Sequence, residues 1–84
     1  MNLKRLPDAE LEVMKALWES GPDTHRSDLD STLTSFSWTA NTINTYLVHL
    51  TDKGFVSARW ERRTNLYTPR VTREEYHTFK KLYS

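Results

Sequence analysis

WTANTINTYLVHLTDKG, at residues 38–54, is the most informative segment of this chain. Ile43, Leu47 and Leu50 recur at helical spacing, which is typical of a helix that buries one narrow face against a core. Gly54 is a favourable stop, because glycine readily adopts the left-handed conformation that often follows a helix. The sequence therefore predicts a helix here, the third of the chain.

The opposite face of this third helix carries short polar side chains. Asparagine can pair bidentately with adenine, and threonine offers a hydroxyl to bases or phosphates and a methyl group to thymine. Thr39 is also a favourable N-cap for the free amides at the helix start. The residues that we expect to contact DNA from this helix are Thr39, Asn41, Thr42, Asn44, Thr45 and His49.

Two further helices are predicted before the third. The first runs from Pro7 to about Ser20, where an apolar stripe at helical spacing ends at Gly21-Pro22. The second runs from about Arg26 to Thr34 and depends on tertiary contacts, because its many serines and threonines compete for backbone hydrogen bonds. Thr24 or Ser27 is the expected cap of its start.

The spacing of apolar residues changes from helical to alternating after the third helix. Residues 55–60 alternate, and a second run of strand type ends at Pro69. This pattern predicts two strands joined by a turn, with Arg62 and Arg63 at its apex. Guanidinium groups there would contact phosphates or enter the minor groove, and Arg59 would extend the same basic surface.

A fourth helix is predicted at the end of the chain. Residues 72–75 form a capping box, in which a threonine and a glutamate satisfy each other's backbone amides. An apolar stripe follows at Tyr76, Phe79, Leu82 and Tyr83. This stripe would pack on the core or present a docking face.

The order of these elements is that of a winged helix-turn-helix, in which the third helix enters the major groove of DNA. We therefore expect one DNA-binding domain over residues 1–84, mainly α with a small β-hairpin. It would have a three-helix core, a two-stranded wing and a C-terminal helix. Trp60 could pack on the first helix or form a partner surface, whereas the aromatic residues expected in the core are Trp18, Phe36, Trp38, Tyr46 and Phe55.

The charged residues are distributed unevenly, although the net charge is only +1. Residues 1–52 carry four basic and eight acidic side chains, whereas residues 53–84 carry eight basic and three acidic ones. A basic C-terminal part suits a polyanionic partner, and a solvated charged surface would have the same composition. Charge alone leaves both interpretations open.

The composition gives no support to several other classes of function. None of the 84 residues is cysteine, which excludes disulfides and thiolate metal sites. The histidines, at positions 25, 49 and 77, lack ligand spacing, and no catalytic motif is present, so we expect no metal, no cofactor and no enzyme activity. No apolar run reaches the length of a membrane span, and we expect a cytoplasmic protein with no membrane partner.

The motifs resemble, in order and spacing, those of the penicillinase repressor family. They are LPDAELEVMKALW at residues 6–18, WT at 38–39, TINTYL at 42–47, KGF at 53–55 and YTP at 67–69. The family includes repressors of beta-lactamase and methicillin-resistance genes and copper-responsive repressors. The resemblance implies a winged helix that binds an inverted-repeat operator with TACA/TGTA-like arms.

The resemblance also implies roles for individual residues. Thr42 and Thr45 match the family at positions that face the operator, whereas Asn41 and Asn44 replace its usual lysine and its arginine or glutamine. His49 stands where arginine is common. At the wing, a family arginine is kept at position 63, and position 62 is often glycine.

The resemblance finally sets expectations about partners. Family members continue into helices that dimerise, so within residues 1–84 this dimerisation region is absent or nearly so. We expect double-stranded operator DNA as the partner, and a homodimer that is weak in this short form or forms on DNA. The alternative is a winged helix that serves as a protein-interaction module or antagonist, without specific DNA binding.

Overall fold

The computed structural model describes residues 5–83, without the side chain of Tyr83. Four α-helices, three strands and one 3-10 turn follow one another over this range in the order of a winged helix, so the predicted fold class is confirmed. The elements are α1 (Asp8–Ser20), β1 (Thr24–His25), α2 (Arg26–Thr32), the 3-10 turn (Thr34–Phe36), α3 (Ala40–Asp52), β2 (Val56–Glu61), β3 (Thr64–Pro69) and α4 (Arg73–Tyr83).

Local sequence signals set both ends of α3. Thr39 caps its start, with the side-chain oxygen accepting a hydrogen bond of 3.2 Å from the amide of Thr42. At the other end Gly54 adopts a φ of +79°. The amide of Phe55 then donates to the carbonyl of Leu50 at 2.9 Å, which is the bond that defines a Schellman motif. The predicted cap and stop are therefore confirmed.

The core is built around the apolar stripes of α1 and α3. Val13, Met14 and Leu17 of α1 are buried, and so is the predicted α3 stripe of Ile43, Leu47 and Leu50. The core is completed from the other elements by Leu29, Leu33, Phe55, Val56, Tyr67, Val71 and Tyr76. α3 is thus held through one face, and the rest of its surface faces outward.

Two predictions about α2 are wrong. The helix ends at Thr32 rather than Thr34, and the chain continues into the 3-10 turn. Neither Thr24 nor Ser27 caps its start, because the N-cap position is His25, which makes no side-chain cap bond. Thr24 lies in β1, and its hydroxyl donates to the carbonyl of Gly21 at 2.9 Å.

The sheet has three strands in the order β1-β3-β2, all antiparallel, instead of the predicted two. β2 and β3 form the expected hairpin, and Thr24 and His25 add a short edge strand opposite Tyr67 and Leu66. Two residues are too few to show the alternation by which a strand is recognised in sequence. The extra strand connects the start of α2 to the wing.

Aromatic residues are less uniformly buried than predicted. Phe55 is fully buried, whereas Phe36 is exposed and stacks on Trp38 with ring centroids 4.5 Å apart. Trp38 in turn meets the edge of Tyr46 at 5.1 Å. Trp60 does not pack on α1; it lies on the wing with 68% of its surface exposed.

The predicted capping box begins α4. The amide of Thr72 donates to the Glu75 carboxylate at 2.8 Å, and the amide of Glu75 donates to the Thr72 hydroxyl at 3.0 Å. Tyr76 is buried in the core, Phe79 is half-buried and Leu82 is exposed. In the part of the chain described, no helix has the length and apolar character needed to cross a membrane.

The hydroxyl of Tyr76 accepts a buried hydrogen bond of 2.9 Å from the amide of Leu6. Tyr76→Phe would leave that amide without a partner, and we expect a loss of about 1–3 kcal/mol in the free energy of unfolding. Urea denaturation measures this loss as a lower midpoint with an unchanged m-value. Tyr46→Phe is the control, because the Tyr46 hydroxyl makes no hydrogen bond among the described residues. Equal effects of the two substitutions would contradict the assignment.

Candidate nucleic-acid interface

The outward face of α3 lies opposite its buried stripe. A step of 100° per residue places Asn41, Thr45, Val48 and Asp52 on the side away from the core. All four side chains are exposed. Asn44 is also exposed and lies at the edge of this face. Its side chains are mainly short and polar, as predicted, but they include an aliphatic residue, Val48, and an acidic one, Asp52, that the sequence analysis did not select.

Thr39 and Thr42 occupy the start of α3. Their hydroxyl oxygens are 2.9 Å apart and share a hydrogen bond, while Thr39 also caps the helix. Both hydroxyls are therefore already engaged in hydrogen bonds at the start of the helix. The backbone amides at this end of the helix carry its partial positive charge, which favours a nearby anion.

The hydroxyl of Thr45 donates to the carbonyl of Asn41, one turn earlier, at 3.0 Å. This bond commits the hydroxyl proton to the helix itself. The Thr45 side chain therefore offers solvent an acceptor oxygen and a methyl group rather than a free donor.

Arg26, which the sequence interpretation did not select, holds the first half of α3. Its guanidinium donates to the side-chain oxygen of Asn44 and, at 2.9 Å, to the carbonyl of Ala40. Its Nε donates to the Asp30 carboxylate at 2.8 Å. Because Arg26 begins α2, these bonds fix the angle between the two helices. They also occupy the amide oxygen of Asn44 and leave its amide nitrogen as a donor.

Glu10 holds the second half of α3 and was also missed. Its side chain is only 5% exposed, and its carboxylate lies 2.6 Å from Nζ of Lys53 and 3.1 Å from Nδ1 of His49. A buried carboxylate needs such partners. His49, which we expected at the DNA, therefore has one ring nitrogen engaged with α1. Nothing in the spacing of these residues marks them as partners, since 39 positions separate Glu10 from His49.

Arg59 lies on β2 beside two carboxylates. Its guanidinium is 3.0 Å from Glu61 and 3.5 Å from Asp23. The side chain stays largely exposed, so these ion pairs are weak. The charge that we expected to face DNA is partly balanced within the chain.

Arg62 and Arg63 form the two-residue turn at the tip of the wing, between the paired residues Glu61 and Thr64. Their φ angles are +52° and +66°, as a type I′ turn requires. This conformation favours glycine or asparagine and costs of order 1–3 kcal/mol for other residues. Both side chains are exposed, and neither forms an ion pair with another residue between positions 5 and 82. The wing tip therefore presents two uncompensated positive charges.

Glu10→Gln tests the contact between α1 and α3. The substitution keeps the shape of the side chain and removes its charge, so we expect a loss of about 1–3 kcal/mol in the free energy of unfolding. The control is Glu12→Gln on the same helix, because Glu12 pairs with the exposed Lys15 at 3.2 Å. We expect less than about 0.5 kcal/mol there. Chemical denaturation of both variants makes the comparison, and an equal loss would contradict a structural role for Glu10.

Comparisons with known proteins agree with this arrangement. The penicillinase repressor of Bacillus licheniformis is 32% identical over 77 residues, which cover 88% of this chain and 60% of that relative's length. The solved DNA-binding domain of the repressor BlaI has a TM-score of 0.77 at 32% identity, covering 89% of this chain and 92% of that one. The monomeric form of Bacillus licheniformis BlaI, solved in complex with the blaP half-operator, has a TM-score of 0.70 with the same identity and coverage.

A match to a family model shows the family of this chain. The model described as penicillinase repressor matches residues 6–81, nearly the whole chain. This match includes every motif on which the resemblance was based. The chain belongs to the penicillinase repressor family.

Proposed function

We propose that this chain is a sequence-specific DNA-binding repressor that places α3 in the major groove of an operator and rests the wing tip on the adjacent backbone. The observation that carries the proposal is the division of surface chemistry between two neighbouring elements. The first three turns of α3 expose short, mainly uncharged polar side chains, and the turn between β2 and β3 exposes the unpaired Arg62 and Arg63. Uncharged polar groups suit base edges, and arginines suit phosphates.

The wing arginines would supply affinity that does not depend on sequence. Two non-glycine residues are kept in left-handed conformations at the tip, where a glycine would relieve the strain. Placing Arg62 and Arg63 there keeps both charges at the most projecting point of the hairpin. Contact with phosphates or entry into the minor groove would use those charges.

The outward face of α3 would supply sequence preference. We assign base contacts to Asn41, Asn44 and Thr45. With its oxygen bonded to Arg26, Asn44 offers its amide nitrogen to groove acceptors such as N7 of a purine. Phosphate contacts are assigned to the remaining predicted residues, namely Thr39 and Thr42 at the helix start, His49 through its other ring nitrogen, and Arg59.

The two contacts that hold α3 support this use. Arg26 fixes the first half of the helix to α2, and Glu10 fixes the second half to α1. A recognition helix that is already rigid loses less conformational entropy on binding. The domain would therefore meet DNA with its recognition surface preformed.

The partner in this proposal is an inverted-repeat operator that holds two copies of the chain. One domain carries one α3 and one wing, which suits one half-site, and a two-fold site matches two such domains. The solved complex of BlaI with a half-operator is of the same kind: one monomer on one half.

The alternative, a protein-interaction module that uses the stripe of α4, has less support. Tyr76 belongs to the core and Phe79 is half-buried. Among the described side chains of that stripe, Leu82 alone is exposed. One leucine is a small anchor for a protein partner.

Substitutions on the outward face of α3 test the assignment of specificity. The operator is first selected from a random DNA pool. We expect Asn41→Ala and Thr45→Ala each to cost about 1–3 kcal/mol on the selected site and only a few tenths on unrelated DNA, because base contacts exist only on the correct sequence. Fluorescence anisotropy titration measures both, and Thr78→Ala on α4 is the control. Equal weakening on every DNA would refute the assignment.

A double substitution at the wing tip tests the phosphate contacts without destroying the turn. Asparagine followed by glycine is the favoured pair in a type I′ turn, so Arg62→Asn with Arg63→Gly removes both charges and should keep or raise the thermal unfolding midpoint. We expect affinity to fall alike on all DNA, and the slope of log K against log salt to flatten by about 1–2. Lys80→Gln with Lys81→Gln removes two charges from α4 as a control. An unchanged slope in the wing variant would rule out phosphate contacts by these arginines.

A further inference from the structure

A groove of about 390 Å³ runs between α3 and the wing. Leu47 and Val48 contribute to its helix wall, and Ala58 and Tyr67 contribute to its sheet wall. The pairing of Ala58 with Tyr67 places these two residues on one face of the hairpin. Each wall also carries polar groups, Asn44, Thr51 and Asp52 on the helix and Asn65 on the sheet. Apolar and polar side chains therefore share a groove that lies between the two elements that we assign to DNA.

Two exposed apolar side chains flank this groove. Val48 is 56% exposed on α3. Trp60 is 68% exposed and follows Ala58 by two residues on β2, so it continues the same face of the hairpin. Val48 lines the groove, and Trp60, which pairs with the lining residue Asn65, lies beyond its end on the same face of the hairpin. Single exposed apolar residues are common on protein surfaces, but two at one groove suggest a surface that a partner covers.

Val48 also belongs to the outward face of α3. It follows Thr45 by three positions and Asn41 by seven, which places the three side chains in one row. The polar members of this row are partly satisfied within the chain, because the Thr45 hydroxyl donates to the Asn41 carbonyl. The Val48 side chain forms no hydrogen bond, and its favourable contacts are with apolar groups. In the major groove the one apolar group on a base edge is the 5-methyl of thymine.

We propose that this groove receives one strand of the operator, with Val48 against the 5-methyl group of a thymine and Trp60 against a deoxyribose of the same strand. The inference rests on the proposed function and deepens it by naming a base. A strand that passes between a helix in the major groove and a wing on the backbone presents its sugars to the groove walls. Asp52 is the single charged residue among the described residues that line the groove. Its negative charge disfavours a phosphate inside the groove, so the sugars and the base edge of the strand, rather than its phosphates, would face the walls.

Replacing thymine by deoxyuridine tests the contact with Val48, because it removes the methyl group and nothing else. In the operator selected from a random pool, each thymine is replaced singly. We expect one position per half-site at which the wild-type chain loses about fourfold in affinity, the value for one buried methyl group. With Val48→Ala the ratio at that position should fall to about one.

The control for this experiment is Leu82→Ala, the other strongly exposed aliphatic residue, at 71% on α4. It should keep the fourfold ratio. Val48→Ala should fold, because the side chain is exposed and alanine is the better helix former. A ratio that Val48→Ala leaves unchanged, or a wild-type chain indifferent to every methyl group, would overturn the inference.

Trp60→Thr tests the other wall and keeps a residue suited to a strand. We expect affinity to fall roughly fivefold on operator and unrelated DNA alike, since sugars carry no sequence information. The salt slope should stay unchanged, because an apolar contact releases no counterions. Unchanged affinity, or a flattened slope like that of the wing arginines, would contradict the contact.

Failure of this inference is distinguishable from failure of the proposed function. If no sequence is enriched from the random pool, the chain is not a specific DNA-binding protein and both proposals fall. If a sequence is enriched but the affinity ratio of thymine to deoxyuridine does not depend on Val48, only the proposed use of the groove is wrong.

Discussion

The structure depends on the burial of one narrow face of α3, formed by Ile43, Leu47 and Leu50, in the core shared with α1 and the sheet. Three aliphatic side chains hold a helix of 13 residues, so most of its surface remains outside. Apolar packing is not directional and fixes the rotation of such a helix only loosely. Polar contacts at its two ends therefore set its orientation. They also decide which polar atoms of α3 remain free.

Arg26 and Glu10 provide these contacts from two different helices. Arg26 reaches Ala40 and Asn44 near the start of α3, and Glu10 reaches His49 and Lys53 near its end. The same bonds use polar atoms that would otherwise be free to contact bases. These contacts therefore hold α3 in place and leave it with fewer free hydrogen-bonding groups; in the proposed function, apolar contacts would then take a larger share of recognition.

Positive charge and short polar side chains are carried by separate elements of this domain. The uncompensated positive charges stand on the wing tip at Arg62 and Arg63, where the turn holds them in a conformation that arginine adopts at a cost. α3, by contrast, has no lysine or arginine, and its outward face includes the acidic Asp52. In the proposed function, such a division would let the wing set how tightly DNA is held and let the helix set which sequence is held.

Most features that depend on neighbours within about one helical turn or one hairpin could be predicted from the amino-acid sequence, although the end of α2 and the 3-10 turn after it could not. The features so predicted are the bounds of α1 and α3, the Thr39 cap, the stop at Gly54, the capping box and the β2-β3 turn, because periodicity, capping and turn chemistry act over a few residues. Which distant residues meet depends instead on how the elements pack together. β1 forms because Thr24 pairs with Tyr67. Arg26 hydrogen-bonds to Asn44, 18 positions away, and Glu10 accepts a hydrogen bond from Lys53, 43 positions away. Those pairings decide which polar atoms of α3 remain free, since a hydrogen bond across the fold depends on where packing brings two elements together and leaves no periodic trace in the chain.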